Sequence, residues 1–237
     1  MHPQTPWAAW DDNMLMPAYW NAARIINHLH RAVLAAHGFT RSGQRCERID
    51  NGLHRRLSVH TRASRSRPQV QLVVWVGIAG LPDPVAGHRY DGLGGTPLTA
   101  TGRHNYQLPV SEEPLPPDLL ADVAGPVCDF LLRPHDLGDF TVWAQEVFAG
   151  DTHPGWRGRF QPVLPQGTGP LRAAALAATV LGDDRLVEFL VARVENEEPS
   201  EHRFDGFLRE IRQLGANVHP RRPTRLHPTG ADQPCSG

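Results

Sequence analysis

HGFTRSGQRCERIDNGLHRRLSVHTRASRSRPQVQLVVWVGIAG, residues 37–80, holds the pattern that decides the fold. Phe39 to Ile49 reads as one strand, Leu53, Leu57 and Val59 repeat with the two-residue period of a second, and Asp50-Asn51-Gly52 between them is a hairpin signal. The second strand is expected to end near Thr61. Gln69 to Gly80, a β-branched run set between Pro68 and Pro82, reads as the central strand of the sheet, buried on much of both faces. Strand parity assigns Arg55 to the inward set with Leu53, Leu57 and Val59, and turns His54, Arg56, Ser58, His60 and Arg62 the other way.

Upstream of this stretch, Ala22, Ile25, Ile26, Leu29, Val33 and Ala36 recur at three- and four-residue steps, predicting an amphipathic helix over 18–36 that starts at Pro17 and is capped by Gly38. Downstream, residues 81–114 are rich in turn formers, with short strands expected around His88–Tyr90 and His104–Val110. A helix is predicted near 117–132, with Pro126 set to kink it and Pro134 beyond its end; Asp139–Phe148 is too short for its period to separate a strand from a short helix, and helix is the preferred reading. Three C-terminal helices follow: one from Leu171 closing at Gly182, one carrying Leu186, Phe189, Leu190 and Val194, and one running from Ser200 as N-cap to Gly215.

The expected fold is therefore α+β. An antiparallel sheet built from Phe39 to about Val110 packs against an N-terminal helix and the helix that follows it, with a C-terminal helical subdomain. The expected organisation is an α+β domain over 1–150, the helical subdomain over 165–216 and a disordered tail over 217–237. That tail has four prolines and only Val218 and Leu226 as large apolar residues.

Composition narrows the chemistry. Among 237 residues there are 24 arginines and no lysine, an excess that fits a GC-rich bacterial gene. Schiff-base chemistry, pyridoxal-phosphate attachment and a Walker-type phosphate loop all need the absent side chain. The cysteines Cys46, Cys128 and Cys235 stand singly, without the spacing of a zinc ribbon or a disulfide framework, which fits a reducing cytoplasm. No basic leader precedes an apolar run at the N-terminus, and the run Leu72–Leu81 is about half of the roughly 20 residues that a membrane span needs, so a soluble protein without membrane contact is expected.

No motif specifies a catalytic residue, and none calls for a cofactor or metal. His28 and His30 point about 200° apart on a helix and cannot share a ligand face. Asp91–Thr96, DGLGGT, lacks the pattern of a phosphate loop and reads as a turn; Cys46 reads as a half-buried strand residue. Trp7 and Trp10, ahead of the first helix, are expected to pack back on the sheet rather than to engage a partner.

What stands out is charge. Residues 38–68 carry eight arginines against Glu47 and Asp50, in a chain of net charge −1. Arg56, Arg62, His54, His60 and Arg65 are the candidate partner-binding residues. Three readings compete: a solvated hairpin, a face for an acidic protein, or a site for nucleic acid. The last is disfavoured, because a dedicated nucleic-acid domain has a pI above about 9 whereas this chain has 6.9, and because no Trp or Tyr interleaves the arginines for base stacking. From Asp183 to Glu210, nine acidic residues face four arginines, so the two regions could neutralise each other within one chain.

Gly38, Phe39, Arg41, Gly43, Arg48, the turn at Asp50–Gly52 and the strand ending Val76-Gly77-Ile78 also carry a resemblance. Over roughly residues 20–150 the chain resembles the bacterial family called domain of unknown function 4304, in which an N-terminal helix leads into a glycine-phenylalanine pair, a basic strand, a turn and two further strands. The C-terminal helices look like the helical extension some members carry. Cys46 and arginines stand where aromatic residues are usual around the hairpin. The resemblance implies a fold and supplies no site residue.

The function expected on these grounds is a protein-interaction or immunity-like regulatory module that uses the basic hairpin face, not an enzyme. The alternatives are a hydrolase or transferase acting on an anionic small molecule where the sheet meets the helical subdomain, and a weak nucleic-acid binder. Oligomeric state is left open.

Overall fold

The computed structural model describes residues 21–62, 68–81, 92–99, 101–109, 114–149, 160–164, 167–197 and 201–218. It is an α+β fold, an antiparallel sheet with helices before and after it.

Helix α1, Ala22–Ala32, begins at Asn21, whose side chain accepts the Arg24 N–H. Ile25, Ile26 and Leu29 on it are fully buried. The helix predicted to reach Ala36 stops earlier: β-branched Val33 leaves helical geometry and Leu34–His37 tightens into a 3-10 turn. Gly38 closes that turn at φ 76°, a left-handed cap that glycine takes without strain.

The strand expected from Phe39 to Ile49 is two strands, β1 (Thr40–Ser42) and β2 (Arg45–Asp50), joined through Gly43 at φ 58°. Glycine first in a two-residue loop is the signature of a II′ turn, and the next turn, Asn51 at φ 48° and Gly52 at φ 77°, has the two positive angles of a I′ turn. Both match the right-handed twist of the strands they join. β3 (Leu53–Arg62) and β4 (Gln69–Ile78) then pair along their full length, Leu53 with Ile78 through Arg62 with Gln69. β4 sits at the middle of the sheet, as its sequence predicts.

Beyond it, one strand corrects the reading of turn-forming sequence and another falls within His104–Val110, where a short strand is expected. Gly92–Pro97 is strand β5, paired to β4, so Gly92–Thr96 is strand where a turn is expected. Glycine is weak strand former taken alone; here Trp75 needs the space. A Cβ at Gly92 would lie 2.5 Å from the Trp75 indole, so only glycine lets the ring lie against this strand. Tyr106–Gln107 is the short β6, on β4, and Phe160–Leu164 is β7, which extends the sheet beyond β5 across a bulge at Gly94/Gly95. The strand considered around His88–Tyr90 lies outside the described residues, as do Trp7, Trp10 and Arg65.

One face of the sheet is covered by α1 and by the helical run α2 (Pro117–Asp122) to α3 (Cys128–Leu132). Between the last two, Val123–Val127 is a π-turn: Pro126 has no N–H to give, and Cys128 donates five residues back to Val123. α4 (Leu137–Phe148) is capped by Asp136, which accepts the Asp139 N–H. α5 (Gly169–Leu181) is buried from Gly169 to Thr179, packed on by α4, α6 (Asp184–Glu197) and α7 (Glu201–Val218). Leu181, the last residue of the helix, is exposed. Small alanines let the neighbours approach α5 closely, and Arg172, itself buried, lays its guanidinium 5.0 Å above the Phe207 ring of α7. Gly215 does not end α7; the helix continues through Asn217 and Val218, and the rest of the expected tail lies outside the described residues. Among the described residues no helix is long and apolar enough to cross a membrane.

Candidate interaction face

Strand alternation divides the described arginines of the hairpin region before any partner is considered. Arg55 faces inward, 2% exposed. Its guanidinium donates to Asp50 Oδ1 and, at 2.7 Å, to the Pro134 carbonyl ahead of α4. Burial, and then the charge of Arg48, pull its pKa down to about 10, which still leaves it cationic at neutral pH. Arg48 reaches the same carboxylate through Asp50 Oδ2 and donates at 2.9 Å to the His37 carbonyl at the Gly38 corner. Asp50 thus ties α1's end, the hairpin and the start of α4 into one unit; Asn51 adds a hydrogen bond to the His135 carbonyl, 3.1 Å. These two arginines belong to the architecture, and the reading of the hairpin as one basic surface loses them.

The opposite face of the sheet holds the candidate residues in cross-strand rows. Glu47, Arg56, Trp75 and Gly94 form one row, and Ile49, His54, Gly77 and Gly92 the next. Trp75 is the hub: the Arg56 guanidinium lies 5.1 Å from its ring centre and the His54 ring meets it edge-on at 5.5 Å. Glu47 forms an ion pair with Arg45 at 3.0 Å and lies 3.6 Å from His54 Nε2. Among the described residues that nitrogen is shut off from solvent without a hydrogen-bond partner. His60 and Arg62 stand exposed further along β3, and Ile49 is 67% exposed at the other end.

The predicted residues therefore fall into two kinds. Arg62 and His60 project to solvent, whereas His54 and Arg56 are partly covered, packed on Trp75. Trp75 carries no distinguishing signal in the sequence beyond that of a tryptophan expected as a core or interface anchor; its position opposite glycine on the next strand sets it apart.

Two open grooves border the hairpin: about 760 Å³ between the Gly38 corner and the edge of β2, and about 350 Å³ beside the β1–β2 turn and His60. Among the described residues no three His, Cys, Asp or Glu side chains gather as a metal site. His30 instead has its Nε2 2.9 Å from the Phe39 carbonyl.

Cys46 is fully buried, not half-buried, because it shares the inward set with Leu57. Burial pushes its thiol up to about 12, against a smaller lowering by Arg41; Cys128 is raised to about 11, by burial and then by Asp129. Neither is an activated nucleophile. A thiol reagent at pH 8 should spare both until the protein is unfolded with urea, when both react; rapid native-state labelling of either, mapped by mass spectrometry, would contradict this burial. The linkage has a definite sign. A thiol whose pKa rises from 9.0 to about 12 on folding stabilises the fold below pH 9, and that stabilisation is lost as pH climbs through this window.

The fold and this face define an α+β protein with a mixed polar and aromatic sheet surface. Comparison with protein-family models, with curated proteins and with solved structures finds no match.

Proposed function

We propose that the chain is a protein-interaction module that engages an acidic partner through the outer face of β2, β3 and β4, as an immunity-like regulatory protein would. The observation that carries this reading is strand parity: Arg56, Arg62, His54 and His60 share the face opposite the one covered by α1 and α3. Arg56, laid over the buried Trp75 ring, is an arginine held in place on that face, and arginine is among the residues that dominate binding energy at interfaces. Arg62 at the edge of that face supplies charge that steers encounter. The resemblance to the domain of unknown function 4304 family belongs to the same proposal, as a statement about fold.

The test is co-purification of the tagged protein from nuclease-treated host lysate. Wild type is compared with an Arg56→Glu, Arg62→Glu variant whose fold is checked by circular dichroism. A stoichiometric acidic protein retained by the wild type and lost from the variant is the expected result. Equal retention by both, or no bound protein, sinks the reading.

A further inference from the structure

We infer that Asn51-Gly52, at the apex of the β2–β3 turn, is a modification site. Asn51 loses its side-chain amide to give aspartate and isoaspartate, at a rate set by how often the hairpin tip leaves the start of α4. The chemistry needs only water. The Gly52 backbone nitrogen attacks Asn51 Cγ, its proton passes to the departing amide, the Cγ–Nδ2 bond breaks and ammonia leaves, so that a five-membered succinimide remains. Water then opens the ring at one carbonyl to give aspartate, or at the other to give isoaspartate, whose chain runs through the side-chain carbons. Of the seven asparagines only Asn51 precedes glycine, the residue with no side chain to hinder the attacking nitrogen. Both residues are exposed, so water reaches them.

The folded tip opposes the first step. With Asn51 at φ 48° and Gly52 at φ 77° the turn is I′, and closing the ring takes the peptide unit between them out of that geometry by rotation about the Asn51 Cα–C bond. The carboxamide is held as well: Asn51 Nδ2 donates to the His135 carbonyl at 3.1 Å, just ahead of α4. Gly52 packs on the first residue of that helix, where an added Cβ would lie 2.8 Å from Leu137 Cδ1. From β3, Arg55 fixes the same segment by donating to the Pro134 carbonyl at 2.7 Å. Ring closure therefore waits for these contacts to open together, a local event short of global unfolding. The product cannot return. Aspartate at 51 has no donor for the His135 carbonyl, and isoaspartate adds a backbone carbon that a two-residue I′ turn has no place for. Modification thus releases the tip from α4.

Incubation of the full chain at mildly alkaline pH tests this. Cleavage after arginine frees Ile49–Arg55, or Ile49–Arg56 when Arg55 is replaced, and chromatography with mass spectrometry separates the asparagine, aspartate and isoaspartate forms. The folded wild type should lose Asn51 at least about a hundredfold more slowly than the chain in urea, and Arg55→Ala should speed the folded reaction by about tenfold or more. Leu190→Ala opens a cavity of comparable cost in α6, which packs on α5 and α7 and not on the hairpin, and should leave the wild-type rate unchanged. In the aged protein, amide hydrogen exchange in the first turn of α4 should be faster than in fresh protein. Equal rates in the folded and urea-unfolded chain overturn the inference. So does a folded rate that Arg55→Ala leaves unchanged, one that Leu190→Ala raises as much as Arg55→Ala does, or an α4 first turn whose exchange is the same before and after modification.

Discussion

Replacing Arg55 by alanine should lower the unfolding free energy by about 3 kcal/mol, the low end of what breaking a buried ion pair costs. The low end applies because Asp50, a quarter exposed, keeps Arg48 as a partner. Most of the loss comes from what remains behind: the Pro134 carbonyl, bonded at 2.7 Å in the native protein, is left without its guanidinium donor. Lysine at 55 should recover only part of this, since one ammonium cannot reproduce a fork that serves a carboxylate and a carbonyl together. Urea denaturation followed by far-ultraviolet circular dichroism measures both. Arg56→Ala, on the opposite face of the same strand, is the control and should cost under about 1 kcal/mol. If Arg55→Ala matched that control, the Asp50 cluster would not be what joins the hairpin to α4.

Gly92→Val should destabilise by about 2 to 3 kcal/mol through overpacking. The new Cβ would stand 2.5 Å from Trp75 Cε2 and 2.6 Å from Nε1, distances no rotamer of valine relieves because they concern the Cβ itself. Either the indole leaves its place or β5 separates from β4. The same substitution made in a Trp75→Leu background should cost much less, and the non-additivity between the two sites is the measurement that decides. Additive effects would mean that Gly92 is required for some reason other than the ring. Because Trp75 also carries Arg56 and His54 against it, Gly92→Val should weaken whatever binds that face, at protein concentrations and temperatures where the variant is still folded.

Much of the architecture could be read from near neighbours in the chain. The I′ turn at Asn51-Gly52, the alternation along β3, the apolar stripe of α1 and the cap at Gly38 each depend on residues within a turn or two of one another. The position of Arg55 on the inner face followed from the same alternation. Less of the candidate face was legible. Parity grouped His54, Arg56, His60 and Arg62, yet it could not tell that His54 and Arg56 would lie partly covered on Trp75 while His60 and Arg62 reached solvent.

What the sequence determined by itself is the set of local periods and turns, hence an antiparallel sheet opened by a helix and followed by helices. Tertiary structure alone decided that GLGGT, residues 92–96, is a buried strand, because glycine has no pattern of its own and acquires one from the indole laid against it. It alone brought β7 to the sheet from some sixty residues beyond β5. It also decided which arginines are structural: Arg48 and Arg55 are chemically the same as Arg56 and Arg62, and only the carboxylate of Asp50 and the carbonyls of His37 and Pro134, gathered by folding, separate them.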